Sequence, residues 1–130
     1  LLIGFSACFA SKLSDTFGSE IGKRWGRNTF LITSFRPVPP GTEGAISLEG
    51  TIASAVGSII MTVILVFLSL TAPGAPAFIV MFVGLFATLI ESFIGATAQN
   101  KVSWLTNEST NALMTFLAAL IAILLFSIII

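Results

Sequence analysis

The sequence predicts an all-α integral membrane protein, a bundle of about four transmembrane helices with a structured cytoplasmic loop. Composition is the first reason. The 130 residues are 55% hydrophobic and only 9% charged, with mean hydropathy +1.03, whereas a soluble domain carries about 25% charged residues. The second is the length of the apolar segments. The third is where the charge sits: nine of the twelve charged residues fall between Lys12 and Glu49. A β-barrel would alternate apolar and polar residues over segments of about ten, and no such alternation occurs.

The segments divide as helices over about 1–26, 48–70, 77–98 and 111–130, one helical domain spanning 1–130. The last three can each cross about 30 Å of hydrocarbon at 1.5 Å per residue. The chain opens on Leu1, inside an apolar run, with no basic region or cleavage motif ahead of it. It reads as the C-terminal part of a longer protein.

The first helix starts apolar and ends polar, in KLSDTFGSEIGKRWG. At about 100° per residue, Lys12, Asp15, Ser19 and Lys23 fall within an arc of about 80°. Gly18, Gly22 and Gly26 repeat every four residues beside them and predict a bare groove. Arg36-Pro37 and Pro39-Pro40-Gly41 then end any helix, since proline lacks the N–H and fixes φ. Gly41 to Gly44 predict a glycine-bracketed turn with exposed backbone N–H groups, leading into the second helix. An acid, a hydroxyl and a base on one face, beside a basic and glycine-rich turn, suit Mg²⁺ and phosphate. Two plainer readings stand beside this one. Lys12 and Asp15 match a helix-end pair, and Lys23, Arg24 and Arg27 match the cytoplasmic flank of a span.

Loop charges set the orientation. The first loop holds Lys23, Arg24, Arg27 and Arg36, the second holds none, and the third holds Lys101. The first and third loops therefore face the cytoplasm or its equivalent, such as the chloroplast stroma. On the third helix Gly84, Thr88, Glu91, Gly95 and Gln99 share one face within about 80° and should point into the bundle. Glu91 in the membrane is costly unless paired or facing water. It is expected to be ionised and cavity-facing, against the alternative of a protonated residue in a Gly/Thr packing seam. Asn107 and Asn111 lie one turn apart at the start of the fourth helix, as cavity residues or, for Asn107 or Thr110, as an N-cap.

With no histidine and a single cysteine, Cys8, the chain excludes His catalysis, His/Cys zinc sites and an intrachain disulfide. Its formal net charge of +0 gives no sign of a nucleic-acid partner.

The runs ASKLSDTFGSEIGKRWG, FRPVPPGTEGAISLEGT and IGATAQNKVSWLTNESTNAL, in that order, resemble the phytyl-phosphate kinase family, which includes relatives of transmembrane protein 19. More distantly they are similar to polyprenol kinases and CDP-diacylglycerol synthases. The resemblance implies a multi-pass enzyme that phosphorylates an isoprenoid monophosphate to the diphosphate, in the plasma or thylakoid membrane of a cyanobacterium-like cell or in a chloroplast membrane. It implies Mg²⁺ and CTP or ATP as cofactors, and prenyl-phosphate lipid, nucleoside triphosphate and the bilayer as partners. A homo-oligomer is compatible with it. Phosphoryl transfer needs metal carboxylates, cations and backbone N–H groups around the phosphates. Carried over, Asp15 is the first choice for Mg²⁺, with Glu20 or Glu43 second. Lys23 and Arg36, with Arg27 beside them, hold phosphates. Gly41, Thr42, Glu43 and Gly44 supply the turn, and Ser19, Thr42 and Ser47 are supporting donors. Glu91, Asn107 and Asn111 close the cavity from the other cytoplasmic loop.

Two other classes stand against this reading. One is cytidylyl transfer, with the same nucleotide and a different group moved. The other is a transporter lined by Glu91, Gln99 and Lys12. Polarity confined to one side of the membrane favours a site that opens at the surface.

Overall fold

The computed structural model describes residues 1–99 and 101–130. Helices α1 (Leu2–Trp25), α2 (Leu48–Phe67), α3 (Ala75–Thr97) and α4 (Asn107–Ile129) form the bundle. Two short strands, β1 (Thr29–Leu31) and β2 (Ala45–Ser47), pair antiparallel between α1 and α2. α2, α3 and α4 are each long and apolar enough to cross a membrane.

Helix α1 packs against the other three. It does so through small residues: Ser6, Ala7, Ala10, Ser11 and Ser14 are fully buried. The bare groove expected along Gly18, Gly22 and Gly26 is instead occupied by α2. A Cβ at Gly18 would strike the Ser54 side chain and lie 3.1 Å from the Gly50 carbonyl oxygen. One turn pair further in, a Cβ at Gly57 would lie 2.8 Å from the Leu13 carbonyl oxygen. Where lipid is as apolar as leucine, close backbone approach supplies the packing that hydrophobicity cannot. Gly84 on α3 meets Ser58 and Ala10 in the same way. The core between α1, α3 and α4 is made by Ala7, Val83, Ala87, Met114, Ala118 and Ala122.

Helix α1 stops at Gly26, which leaves the helix in an extended conformation, and Lys23 and Arg24 stand in its last turn, where the helix dipole favours cations. The small sheet sets Thr29 opposite Ser47 and Phe30 opposite Ile46. Between its strands Phe35 turns left-handed, at φ 54°, and lays its ring against Phe30. Ser47 then caps α2 by accepting the Gly50 N–H at 3.1 Å.

At the far end α2 stops at Phe67, three residues before the expected Leu70, because Ser69 takes a positive φ and the Leu70 and Thr71 amides turn back to the Leu65 carbonyl. Thr71 donates its hydroxyl to Ser6 at 2.7 Å, tying this loop to α1. Helix α3 begins with Pro76 in its first turn, where a missing N–H costs nothing. Helix α4 begins one turn earlier than the expected residue 111. Its cap is Thr106, which accepts the Ser109 N–H at 3.2 Å, so neither Asn107 nor Thr110 serves as the cap. Thr110 is buried and donates to the Thr106 carbonyl at 2.9 Å and to Gln99 at 3.3 Å.

Candidate functional site

A polar cavity of about 210 Å³ lies at the end of the bundle that the loop charges assign to the cytoplasm. Every helix contributes. Helix α1 sends Asp15, Ser19 and Lys23, the turn before β2 sends Gly41 to Gly44, α2 sends Thr51 and Ser54, α3 sends Glu91 and Ser92, and α4 sends Asn107 and Asn111. The face of α1 that carries Asp15, Ser19 and Lys23 is aimed here because Gly18 and Gly22 dock the adjoining face onto α2.

Asp15 is mostly shielded, and Lys12 approaches it at 3.8 Å. The same ammonium donates to Asn111 on α4 at 3.1 Å, and Asn111 in turn donates to the Asn107 carbonyl at 3.0 Å. Lys12 thus bridges the acid of α1 to the amide of α4. The turn is held in place by contact. Gly44 has φ +78°, and a Cβ there would strike Ala96 of α3, while the amide nitrogen of Gly44 sits against Gly95. Thr42 donates both its N–H and its hydroxyl to the Pro39 carbonyl, at 3.2 and 2.7 Å. Among the described residues no acceptor takes the amides of Gly41 and Glu43.

Several sequence-based roles change in detail. Arg36 and Glu20 are exposed and are not among the residues lining the cavity, and neither is Arg27. The Arg36 backbone pairs back onto β1, its carbonyl accepting the Leu31 N–H at 2.9 Å. Ser47 lines the cavity, and its hydroxyl oxygen accepts the Gly50 N–H as the α2 cap, which leaves the hydroxyl hydrogen to donate. The Ser19 hydroxyl donates to the Asp15 carbonyl at 2.7 Å, so, like Thr42, it offers lone pairs to the cavity. The Gly84, Thr88, Glu91, Gly95 and Gln99 face does turn into the bundle: Gly84, Thr88 and Gly95 are buried, and Glu91 reaches the cavity.

Thr29 is a lining residue that the sequence did not single out. Its hydroxyl oxygen is buried without a hydrogen-bond partner among the described residues. A buried hydroxyl left unpaired costs about 1–3 kcal/mol, so it marks a place where a ligand atom would be welcome. The carboxylates of Asp15, Glu43 and Glu91 border the same cavity. No group of three Asp, Glu, His or Cys side chains is close enough to form a ready-made metal cage among the described residues. Mg²⁺ is usually held by one or two carboxylates, with phosphate oxygens and water completing the shell. The donor set fits that mode.

These features define a helical integral membrane protein with a polar cavity at one end of its bundle. The chain belongs to the DUF92 family of integral membrane proteins, whose profile matches residues 1–119. It is 50% identical to an uncharacterized membrane protein of Synechocystis sp., over 95% of this chain and 47% of that protein. It is 42% identical to the chloroplastic protein VTE6 of Arabidopsis thaliana, over 95% of this chain and 37% of that one. An uncharacterized membrane protein of Methanocaldococcus jannaschii is 32% identical over 96% of this chain and 51% of its own length. The chain thus spans about half, or less, of the length of these relatives. No solved structure matches it.

Proposed function

We propose that the protein is a membrane-embedded isoprenoid-phosphate kinase, moving the terminal phosphoryl group of a nucleoside triphosphate, CTP or ATP, onto phytyl or a similar prenyl monophosphate. The new bond joins an oxygen of the lipid phosphate to the terminal phosphorus; the bond to the bridging oxygen breaks, and the nucleoside diphosphate leaves. The observation that carries this reading is the convergence of Asp15, Lys23, the Gly41–Gly44 turn and Glu91 on one cavity at the membrane surface. Membership in the same family as a chloroplastic relative supports it.

Catalysis of this kind is positioning plus electrostatic stabilisation. Lys23 and the free Gly41 and Glu43 amides would receive phosphate oxygens, and the Thr29 hydroxyl would donate to one. Asp15, with Glu43 or Glu91, would hold Mg²⁺, which when bound offsets charge on the phosphates. Lys12, anchored by its hydrogen bond to Asn111 of α4, would keep Asp15 in place. A transport pathway fits less well, because the polar lining is confined to one end of the bundle and the interior beyond it is packed with apolar side chains.

The test is product analysis. The protein in liposomes is given phytyl or geranylgeranyl monophosphate, with ATP and CTP supplied separately. Prenyl diphosphate with nucleoside diphosphate is the expected result. A CMP-linked lipid with pyrophosphate release would make it a cytidylyltransferase, and no product with either nucleotide would refute the kinase reading.

A further inference from the structure

Two phosphate-bearing substrates have to meet in the proposed reaction, yet among the described residues Lys23 is the one cation that lines the cavity. A second cation stands just outside it. Lys12 does not line the cavity, but both of its partners do: Asp15 at 3.8 Å and Asn111 at 3.1 Å. Its side chain is 52% exposed, so it sits on the outer side of the wall that α1 and α4 make.

That wall is tied at four-residue steps, and Lys12 is the last tie. A Cβ at Gly4 would lie 3.4 Å from the Ala119 carbonyl oxygen, the Cys8 thiol donates to the Thr115 carbonyl at 3.4 Å, and Lys12 donates to Asn111. The next step would set Thr16 against Asn107. Thr16 instead turns its hydroxyl back to the Lys12 carbonyl at 2.9 Å, and no hydrogen bond joins the two among the described residues. Asn111 lies one turn, about 6 Å, inside the start of α4. The ammonium therefore stands near the boundary of hydrocarbon and headgroups, the level at which a bilayer holds its lipid phosphates. Below it on the same face of α1, within about 60°, are Phe5 and Phe9, both half-exposed, their rings 4.8 Å apart. An ammonium has three N–H donors. Asn111 takes one and Asp15 holds another only at ion-pair distance, which leaves a third for a ligand. A cation at this depth is costly unless it is paired, and an anion arriving from the membrane would complete the pairing.

We propose that Lys12 binds the phosphate of the lipid substrate at a lateral opening between α1 and α4, and presents it to Asp15 from the membrane side. The proposal rests on the kinase reading for the identity of the substrate. Asp15 then lies between two cations of one helix, with Lys12 one turn below it and Lys23 about 12 Å above. The nucleotide phosphates take Lys23 and the Gly41–Gly44 turn, and the lipid phosphate takes Lys12. The two substrates thus reach the acid from opposite sides, as in-line transfer requires.

The test needs a binding measurement that does not depend on turnover. Radiolabelled phytyl phosphate is titrated onto the protein in phosphatidylcholine nanodiscs, and steady-state kinetics are run beside it. Lys12→Gln should weaken phytyl phosphate binding about tenfold, the value of one hydrogen bond to a charged group, and raise KM for the lipid by a similar factor. KM for the nucleotide should not move, and Lys12→Arg, which keeps the charge, should retain most of the affinity. Loss of Lys12 also loosens Asp15, so kcat falls under either role, but only a binding role changes lipid affinity. Unchanged phytyl phosphate affinity in Lys12→Gln would overturn the proposal. Displacement by phosphatidic acid or inorganic phosphate as readily as by unlabelled phytyl phosphate would overturn it too, since the contact would then be a general one for anions. A second readout uses the native protein, so it stands even where the variant does not fold: a phytyl phosphate analogue with a diazirine beside the phosphate is photolysed in nanodiscs. Competed label on residues 5–16 and 108–116 supports the site, and label confined to α2 and α3 refutes it. Lys12-dependent binding with no turnover of any prenyl phosphate would keep the site and remove the kinase.

Discussion

Replacing Gly44 with alanine asks how firmly the turn must be seated for the site to work. Two costs add there. The residue sits at φ +78°, where a side chain costs about 1–3 kcal/mol. The new methyl would also run into the backbone of Ala96, and overpacking of this kind costs about 1–3 kcal/mol. Gly41 separates the two terms. Its φ is +90°, but the nearest atom to an added Cβ is Lys23 Cγ at 4.0 Å, so Gly41→Ala carries strain alone. Neither residue lies in the bundle core, so the cost falls on docking of the turn against α3 and not on global folding. A combined cost near 3 kcal/mol shifts the docked-to-undocked ratio by about two decades, and strain alone near 1 kcal/mol by less than one. Prenyl-phosphate kinase activity should therefore fall much further in Gly44→Ala than in Gly41→Ala, with both melting within a few degrees of the parent in detergent. Equal loss in the two variants would show that contact with Ala96 does not place Glu43, and the account of the turn would fail.

Three further perturbations address single groups. Asp15→Asn keeps size and hydrogen bonding but loses the charge that would hold Mg²⁺, so activity should drop by orders of magnitude while insertion and purification stay normal; near-normal turnover would reassign the metal. Thr29→Val removes the unpartnered hydroxyl, and relief of that buried polar atom should stabilise the protein by about 1 kcal/mol in thermal unfolding. If the hydroxyl receives a phosphate, KM for the nucleotide should rise about tenfold at the same time, the value of a hydrogen bond to a charged group; an unchanged KM makes Thr29 a structural residue only. Glu91→Gln should cut activity strongly with little thermal cost, since it removes an in-membrane charge while keeping the shape. A Glu91→Leu variant that is both more stable and fully active would take Glu91 out of the site.

The large elements were legible because bilayer thickness imposes a length and a composition that few other constraints mimic. The inward face of α3 was legible for a related reason: a glycine, threonine and glutamate stripe in a phenylalanine-rich helix has one favourable direction to face. What was hidden is what depends on partners. Glycines at 18, 22 and 26 announce a close approach but not by what, and the expected open groove proved to be the seat of α2. Strands of three residues are too short to show a period. Lys12 and Asn111 meet across 99 residues of sequence, and nothing local in either segment points to the other. Arg36 was expected at the phosphates because of its neighbours in sequence, yet its carbonyl pairs back onto Leu31 of β1 while the residue stays exposed and outside the cavity lining. Thr29 had no distinguishing signal; only its missing partner in three dimensions reveals it.

Helix α1 meets its neighbours backbone to backbone, and this bears on how the protein can diverge. Spacing in most bundles is negotiated among bulky side chains, so substitutions drift the helices by fractions of an ångström. Here the separation of α1 from α2 is a hard stop, set by Gly18, Gly50 and Gly57 against carbonyl oxygens. Residues on the lipid-facing sides can change freely without moving Asp15 relative to the turn. The cost of that insulation is brittleness: almost any gain in size along the inner line of α1 forces the site apart as a unit.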